Sequence, residues 1–164
     1  MHEIKHDGYR LLIHRVGETV RLWSRNAVDY TARMPTIAAG AARLKAESFT
    51  IDGEAVVIGA DGLSRFDELR RAEGARVAFL YAFDLLEHNG EDLRERPLLA
   101  RRKALATLLR RSQDGIVFNE HIAEEGAVVF AQACKLGAEG IVSKRIDAPY
   151  RSGPHPALLT WRRS

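Results

Sequence analysis

The sequence predicts an α+β domain in which mixed or antiparallel sheets carry packed helices. Strand-like segments outnumber helical ones, and several of them are joined by short turns typical of hairpins. The 164 residues are 46% hydrophobic and 29% charged, which suits one domain with its own core and argues against a disordered chain. The longest apolar runs fall far short of the roughly 20 residues of a membrane span.

Strands and turns dominate the first half of the chain. A glycine-containing turn at 16–18 separates two strand-like segments, and the sequence around 59–62 has the composition of a second turn. Pro35 precedes a stretch with alanine and leucine on one face, which predicts a helix. In order, the predicted segments are a strand over 9–15, a strand over 19–24, a helix over 36–45, a strand over 49–58 and a helix over 66–72.

The second half alternates helices and strands. In order, it predicts a strand over 77–84, a helix over 97–111, a strand over 116–119, a helix over 124–136, a strand over 140–144, and then a loop ending in a short apolar piece. Inward-facing residues of the first helix are predicted to be Leu98, Leu105, Leu108 and Leu109. Those of the second are predicted to be Ala127, Val128, Phe130, Ala131 and Cys134.

Several function classes are excluded by composition. Cys134 is the single cysteine, so an internal disulfide framework and a Cys-rich zinc site are ruled out. The six histidines lack the spacing of a metal-ligand motif, and neither a Walker loop nor a Gly-x-Gly-x-x-Gly motif occurs. The N-terminus has no apolar signal segment, so the expected location is the cytoplasm, with no membrane partner.

Positive charge is concentrated rather than evenly spread. The net charge is +3, yet residues 94–111 contain seven basic side chains against one acid. Such a cluster can follow a phosphate backbone, and it makes Arg101, Arg102 and Lys103 candidate DNA-binding residues. A solvated helix face is the alternative reading of the same cluster.

Lys5, Asp7, Gly8 and Arg10 form the first motif that carries chemistry, Lys-x-Asp-Gly-x-Arg. A lysine amine is a nucleophile when it is neutral, a glycine allows close approach of a ligand, and an arginine can hold a phosphate. An ordinary surface turn around Asp7-Gly8 is the alternative interpretation.

Further along, two acids interrupt an apolar strand at Asp52-Gly53-Glu54. The two-residue period of a strand places Asp52 and Glu54 on one face, where they either meet solvent or hold a cation. Phe83 ends another apolar strand, and a third strand runs from Glu139 to Lys144 in the sequence Glu-Gly-Ile-Val-Ser-Lys.

Taken in order, these motifs resemble the covalent nucleotidyltransferase superfamily, which holds the ATP-dependent DNA ligases, the RNA ligases and the mRNA capping enzymes. The stretches 22–26, 51–57, 62–66, 96–98 and 150–153 narrow the resemblance to bacterial ATP-dependent DNA ligases, of the type that serves non-homologous end joining. The resemblance implies an ATP-grasp-like adenylation domain, incomplete in this chain and occupying residues 1–164.

This resemblance also implies roles for single residues. Lys5 would attack the α-phosphorus of ATP and form a lysyl-adenylate, which passes AMP to a 5′-phosphate of nicked or broken double-stranded DNA. Glu54 and Glu139 would place Mg²⁺ or Mn²⁺, and Arg25 would also contact DNA. Nucleotide-binding positions would be Glu3, Ile4, Arg10, Arg25, Glu54, Phe83, Lys144 and Arg162.

The chain departs from the family pattern in three places. Thr160 and Arg162 stand where the family's last adenylation motif has two lysines. Only four residues precede Lys5, and no OB-fold domain follows Ser164. A separate polypeptide with an OB fold, or an end-joining protein, is therefore an expected partner. Two alternatives stay open: an RNA ligase or capping-type enzyme, and a non-catalytic nucleic-acid-binding remnant.

Overall fold

Two sheets, in which most neighbouring strands are antiparallel, form the framework of the protein. The structure, a computed structural model of the chain, describes residues 1–112 and 114–164. The strands are β1 (His2–Lys5), β2 (Tyr9–Val16), β3 (Thr19–Ser24), β4 (Ser48–Val56), β5 (Phe79–His88), β6 (Glu91–Asp92), β7 (Ile116–Phe118), β8 (His121–Ile122), β9 (Gly140–Lys144) and β10 (Leu158–Arg162). The helices are α1 (Pro35–Arg43), α2 (Phe66–Leu69), α3 (Ala72–Val77), α4 (Leu98–Leu109) and α5 (Gly126–Lys135).

The large sheet has the strand order β3-β2-β4-β5-β6, with β7 parallel to β5. Its first hairpin turns at Gly17, whose φ of 59° lies in the left-handed region that glycine adopts without strain. Alternate residues of β2 and β4 face the core, among them Leu11, Ile13 and Ile51. Helices α1 and α4 cover the sheet, and Leu105 of α4 is fully buried in this core.

The small sheet has the order β10-β9-β1-β8, and its three neighbouring pairs are all antiparallel. Helix α5 packs on it through Val129 and Ala133, which bury Ile141 of β9. The pairing register places Lys5, Gly140 and Arg162 side by side across β1, β9 and β10. Lysine and arginine therefore lie in one cross-strand row, separated by a residue without a side chain.

Helix α4 connects the large sheet to the small one through charged side chains. Leu98, Leu105 and Leu109 are buried and Leu108 is partly buried against the core, as the sequence predicts. Arg101 and Arg102, however, are only 3% and 1% exposed. The prediction that these two arginines belong to an exposed DNA-binding face is wrong, because both guanidinium groups are buried and hydrogen-bonded to partners inside the protein.

Two further predictions differ from the structure. The segments 2–5 and 158–162 are strands of the small sheet, although the sequence left the first unassigned and put the second in a loop. In α5 the buried residues are Val129 and Ala133, whereas Ala127, Val128 and Ala131 are exposed. Since nearly every residue from 126 to 134 is small or apolar, periodicity alone does not select the inward face.

Candidate nucleotide-binding site

A cleft of about 320 Å³ lies between the two sheets. Strands β1 and β9 of the small sheet line it on one side, and β2, β4 and β5 of the large sheet line it on the other. The loop 145–157, which joins β9 to β10, contributes further lining residues, as does the N-terminal part of α4. The candidate site is thus built from segments that span the whole chain.

Lys5 lies in this cleft because it ends β1, whose partner β9 brings Glu139 beside it. The Lys5 Nζ donates a hydrogen bond to Glu139 Oε2 at 2.7 Å. The chain then passes β4 so closely that a Cβ on Gly8 would lie 2.0 Å from the carbonyl oxygen of Ala55. Glycine at this position is therefore required by the close approach of two backbones.

Glu3 occupies a buried position between two cations. One carboxylate oxygen accepts a hydrogen bond from Arg102, and the other is 2.7 Å from the Nζ of Lys144. That Nζ lies 4.4 Å from the ring centroid of Phe83, in cation–π geometry. Glu3 therefore braces Lys144 in this structure, rather than Lys5.

Arg10 is held by the first of the two strand acids. Its Nε and Nη2 donate to the carboxylate of Asp52 at 3.0 and 2.6 Å. The hydroxyl of Tyr150 donates to the same carboxylate at 2.9 Å. Arg10 faces Glu54 in the β2–β4 register, so the cation and the two acids meet at one point of the large sheet.

The protonation of several groups around Lys5 is shifted by burial. Burial raises the pKa of Glu54 to about 7, although the charges of Lys5 and Arg10 oppose the shift. Burial, followed by the charge of Glu139, also raises the pKa of Asp7. These carboxyl groups crowd negative charge around one amine, which a bound cation would relieve.

His6 follows Lys5 and packs deeply into the same region. Its ring stacks on Tyr81 with the centroids 3.9 Å apart, and its Nε2 is 3.1 Å from Oδ1 of Asn119. Burial lowers the pKa of His6, so the neutral ring is favoured at neutral pH. His6 and Asn119 both line the cleft.

Glu54 and Glu139 are the residues that could hold a divalent metal. Within residues 1–112 and 114–164, no group of three or more His, Cys, Asp or Glu side chains forms a ready-made metal site. Mg²⁺ commonly binds one or two carboxylates and completes its shell with water and substrate phosphates. The two carboxylates beside Lys5 fit that donor set.

The structure brings most of the predicted site residues together. Those that line the cleft are Glu3, Ile4, Lys5, Arg10, Arg25, Glu54, Phe83 and Lys144. Glu139 reaches the site through its bond to Lys5. Thr160 lines the cleft, whereas Arg162 is exposed at the end of β10, beyond the lining residues.

The three basic residues predicted on α4 differ in their exposure to solvent. Arg101 binds the carboxylate of Asp84 through Nε and Nη2 and lines the cleft from within the protein. Arg102 binds Glu3 and the backbone carbonyls of Phe83 and Asn119. Lys103 is exposed, and of the three it is the one whose charge reaches solvent.

Four residues line the cleft although no sequence signal predicts them there: His6, Arg101, Asn119 and Tyr150. Tyr150 belongs to a stretch that carried the family resemblance, which marked the segment without indicating its contacts. An arginine followed by another arginine and a lysine looks like a solvated face, and nothing local indicates that acids from β1 and β5 will bury two of them. These contacts join residues 17 to 99 positions apart.

Comparison with known proteins places the chain in a family. The model of the ATP dependent DNA ligase domain matches residues 1–159. The multifunctional non-homologous end joining protein LigD of Pseudomonas aeruginosa is 41% identical over 155 residues, which cover 92% of this chain and 18% of that protein. A probable DNA ligase of Streptomyces avermitilis is 33% identical over 165 residues and is covered to 32% of its length.

Solved structures give the same result. The ligase domain of Mycobacterium tuberculosis LigD superposes with a TM-score of 0.85 at 33% identity, covering 98% of this chain and 54% of that one. A mycobacterial DNA ligase D complexed with ATP and MES superposes with a TM-score of 0.82 at 32% identity, and 53% of it is covered. The chain therefore spans about half of these ligase structures and a smaller part of the curated relatives.

No helix in the described residues is long and apolar enough to cross a membrane.

The α+β class with antiparallel sheets, predicted from the strand and turn pattern, is confirmed. The resemblance drawn from the ordered motifs is confirmed as well, since the match extends across nearly the whole chain. The protein belongs to the ATP-dependent DNA ligase domain family.

Proposed function

We propose that this chain is an adenylation unit that receives AMP from ATP on Lys5 and passes it to DNA. The observation that carries the proposal is the position of the Lys5 amine, which lies in a cleft that Arg10, Lys144 and Phe83 also line. A nucleophile, two cations for phosphate and an aromatic face for a base are thus assembled in one cavity. The ATP complex of the mycobacterial relative supports ATP as the ligand.

In the first step, the Lys5 amine gives a proton to solvent water, separates from Glu139 and attacks the α-phosphorus of ATP. A phosphorus–nitrogen bond forms, the bond between the α-phosphorus and its bridging oxygen breaks, and pyrophosphate leaves. Arg10 and Lys144 stabilise the charge that develops on the phosphate oxygens. Phe83 orients the adenine by stacking, which presents the α-phosphate to Lys5.

In the later steps, an oxygen of a DNA 5′-phosphate attacks the same phosphorus and releases Lys5. The 3′-hydroxyl at the nick then attacks the DNA 5′-phosphate, which joins the strands and releases AMP. Glu54 and Glu139 would hold Mg²⁺ or Mn²⁺, which would neutralise phosphate charge when bound. Arg25 is exposed and lines the cleft, which supports a contact with the DNA phosphate.

Nicked or broken double-stranded DNA is the proposed substrate, and the bacterial cytoplasm is the proposed place of action. The end-joining relatives support this choice. A separate OB-fold or end-joining protein is the proposed partner for the sealing step. Thr160 supports the need for such a partner, because it supplies no positive charge at a position where the family has lysine.

The test is transfer of label from ATP that carries a labelled α-phosphate. The wild-type chain with Mg²⁺ should become covalently labelled, and a chase with nicked duplex DNA should move the label to the DNA. An equimolar competition between ATP and GTP, and between nicked DNA and nicked RNA, distinguishes an RNA ligase or capping-type enzyme. A folded chain that binds DNA and takes no label would support the non-catalytic alternative.

A further inference from the structure

Asp52 is the hub of a buried contact that links three parts of the chain. Its carboxylate is fully buried and accepts hydrogen bonds from the Nε and Nη2 of Arg10 on β2. The third donor is the hydroxyl of Tyr150, 98 residues further along the chain. A buried carboxylate is stable only while such donors surround it, so all three contacts contribute to its position.

This arrangement fixes the direction of the Arg10 guanidinium. The edge that carries Nε and one Nη2 hydrogen is bound to Asp52, so the remaining N–H groups stay available on the side of the cleft. The paired fork geometry permits little rotation, because both carboxylate oxygens are used. Any group that holds the Asp52 carboxylate in place also holds the donors that Arg10 presents to a ligand.

Tyr150 is itself anchored by the loop 145–157. Its backbone N–H donates to the carbonyl of Arg94 at 2.7 Å, and the carbonyl of Ala148 accepts bonds from the N–H of Leu98 and from Arg101, both at 3.0 Å. The ion pair between Arg151 and Glu95 adds a contact at 2.7 Å. The loop therefore docks beside the start of α4, on the side of the large sheet, although it connects two strands of the small sheet.

We propose that Tyr150 is a positioning residue for nucleotide binding: through Asp52 it aims Arg10 at the phosphates of ATP. The inference rests on the proposed function, since it assigns the ligand of Arg10. It also means that a single hydroxyl links the position of the loop 145–157 to the orientation of Arg10. Tyr150 touches no reacting atom and acts through the two residues between it and the ligand.

The Tyr150→Phe variant removes this hydroxyl and leaves the ring in place. Loss of a hydrogen bond to a charged group predicts about five- to tenfold weaker ATP binding. Binding of adenosine, which has no phosphate, should change less than about twofold. The matched control is Tyr30→Phe, because the Tyr30 ring packs against Tyr9 and Tyr30 is not a lining residue of the cleft.

A double-mutant cycle separates positioning from a general structural effect. ATP binding is measured by titration calorimetry in EDTA, so that the metal-dependent transfer of AMP to Lys5 does not proceed, on the wild type, Tyr150→Phe, Arg10→Lys and the double variant. Lysine keeps the positive charge but loses the fork, so Tyr150→Phe should cost less than about twofold in that background. Asp52→Asn is a second route to the same result, since it keeps the shape of the side chain and weakens the hold on Arg10.

Equal losses of ATP affinity in the wild-type and Arg10→Lys backgrounds would overturn the inference. So would an equal loss for adenosine and ATP, or a folded wild-type chain that binds no ATP. Label transfer is scored separately on the same proteins. A chain that binds ATP but never forms the lysyl-adenylate contradicts the proposed function, and it leaves the calorimetric test of Tyr150 intact.

Discussion

At the scale of single residues, Glu54 is a carboxyl group whose pKa is brought into the physiological range by burial. Its pKa rises from 4.5 to about 7 through burial. The folded protein therefore binds more protons than the unfolded chain between these two pH values, and this contribution lowers stability as the pH rises through that window. Below about pH 4.5 the penalty is absent, since the carboxyl is neutral in both states.

Glu54→Gln should remove this dependence. We expect the wild type to lose up to about 3 kcal/mol more unfolding free energy than Glu54→Gln between pH 4.5 and 7. Urea unfolding at a series of pH values measures the difference. The other titrating groups are common to both proteins and cancel in the comparison. Parallel stability profiles would contradict the burial of an unrelieved carboxyl at this position.

Among the residues, charge contacts were the hardest to predict. The spacing of Asp52 and Glu54 correctly indicated that two acids share a region of the large sheet, because the strand period is local information. Their partners come from β2 and from the loop 145–157, which the sequence alone does not bring together. Lys5 was found through its motif, yet its ion pair with Glu139 depends on the register of β1 with β9.

At the scale of elements, α4 connects the two sheets through buried charged side chains. Arg102 is fully enclosed and joins Glu3 of β1 to the carbonyl of Phe83 in β5. Removing one member of a buried ion pair leaves the other without compensation, which typically costs about 3–5 kcal/mol. We therefore expect a substitution of the buried Arg102 to destabilise the protein, although the sequence of α4 resembles that of a solvated helix.

The comparison of Arg102→Met with Lys103→Met tests this role. Arg102→Met should lower the unfolding free energy by about 3–5 kcal/mol, whereas Lys103→Met, one residue along and exposed, should change it by less than about 0.5 kcal/mol. Urea unfolding followed by circular dichroism gives both values. Similar stabilities for the two variants would show that Arg102 is replaceable by apolar packing.

The elements themselves were predicted well where the local pattern is unambiguous. The β2–β3 hairpin follows from alternation around a glycine turn, and α4 follows from its leucine spacing. Strand β10 was missed because prolines and glycines precede it and its residues pair only with β9, which lies on the other side of the loop 145–157. On the predicted inward face of α5, Phe130 packs against the core, whereas Ala127, Val128 and Ala131 are exposed, because an almost uniformly apolar helix has little periodic signal.

At the scale of the whole molecule, we expect the exposed cations to guide the approach of DNA. Arg25 lies at the cleft, and Lys103 lies on α4 outside the cleft lining. If both contact phosphates, Arg25→Glu and Lys103→Glu should each weaken binding to nicked duplex DNA and make its salt dependence shallower, by about one unit of slope per lost contact. Fluorescence anisotropy over a range of salt concentrations measures both effects.

Arg70→Glu serves as the matched control, because Arg70 is exposed and lies outside both the cleft lining and α4. It should bind DNA with nearly the affinity of the wild type, apart from the small effect of net charge. A Lys103→Glu variant that behaves like this control would return α4 to the reading of a solvated helix face. The Arg25 result would then define the DNA-binding side of the molecule alone.

Lys5 is the residue that we propose carries AMP. The most direct measurement is mass spectrometry of the intact chain and of its peptides after incubation with ATP and Mg²⁺. We expect a mass gain of one AMP on the peptide that contains Lys5, and no gain in Lys5→Arg, which keeps the charge. AMP attached to another residue, or an unchanged mass in a folded chain that binds ATP, would contradict the account.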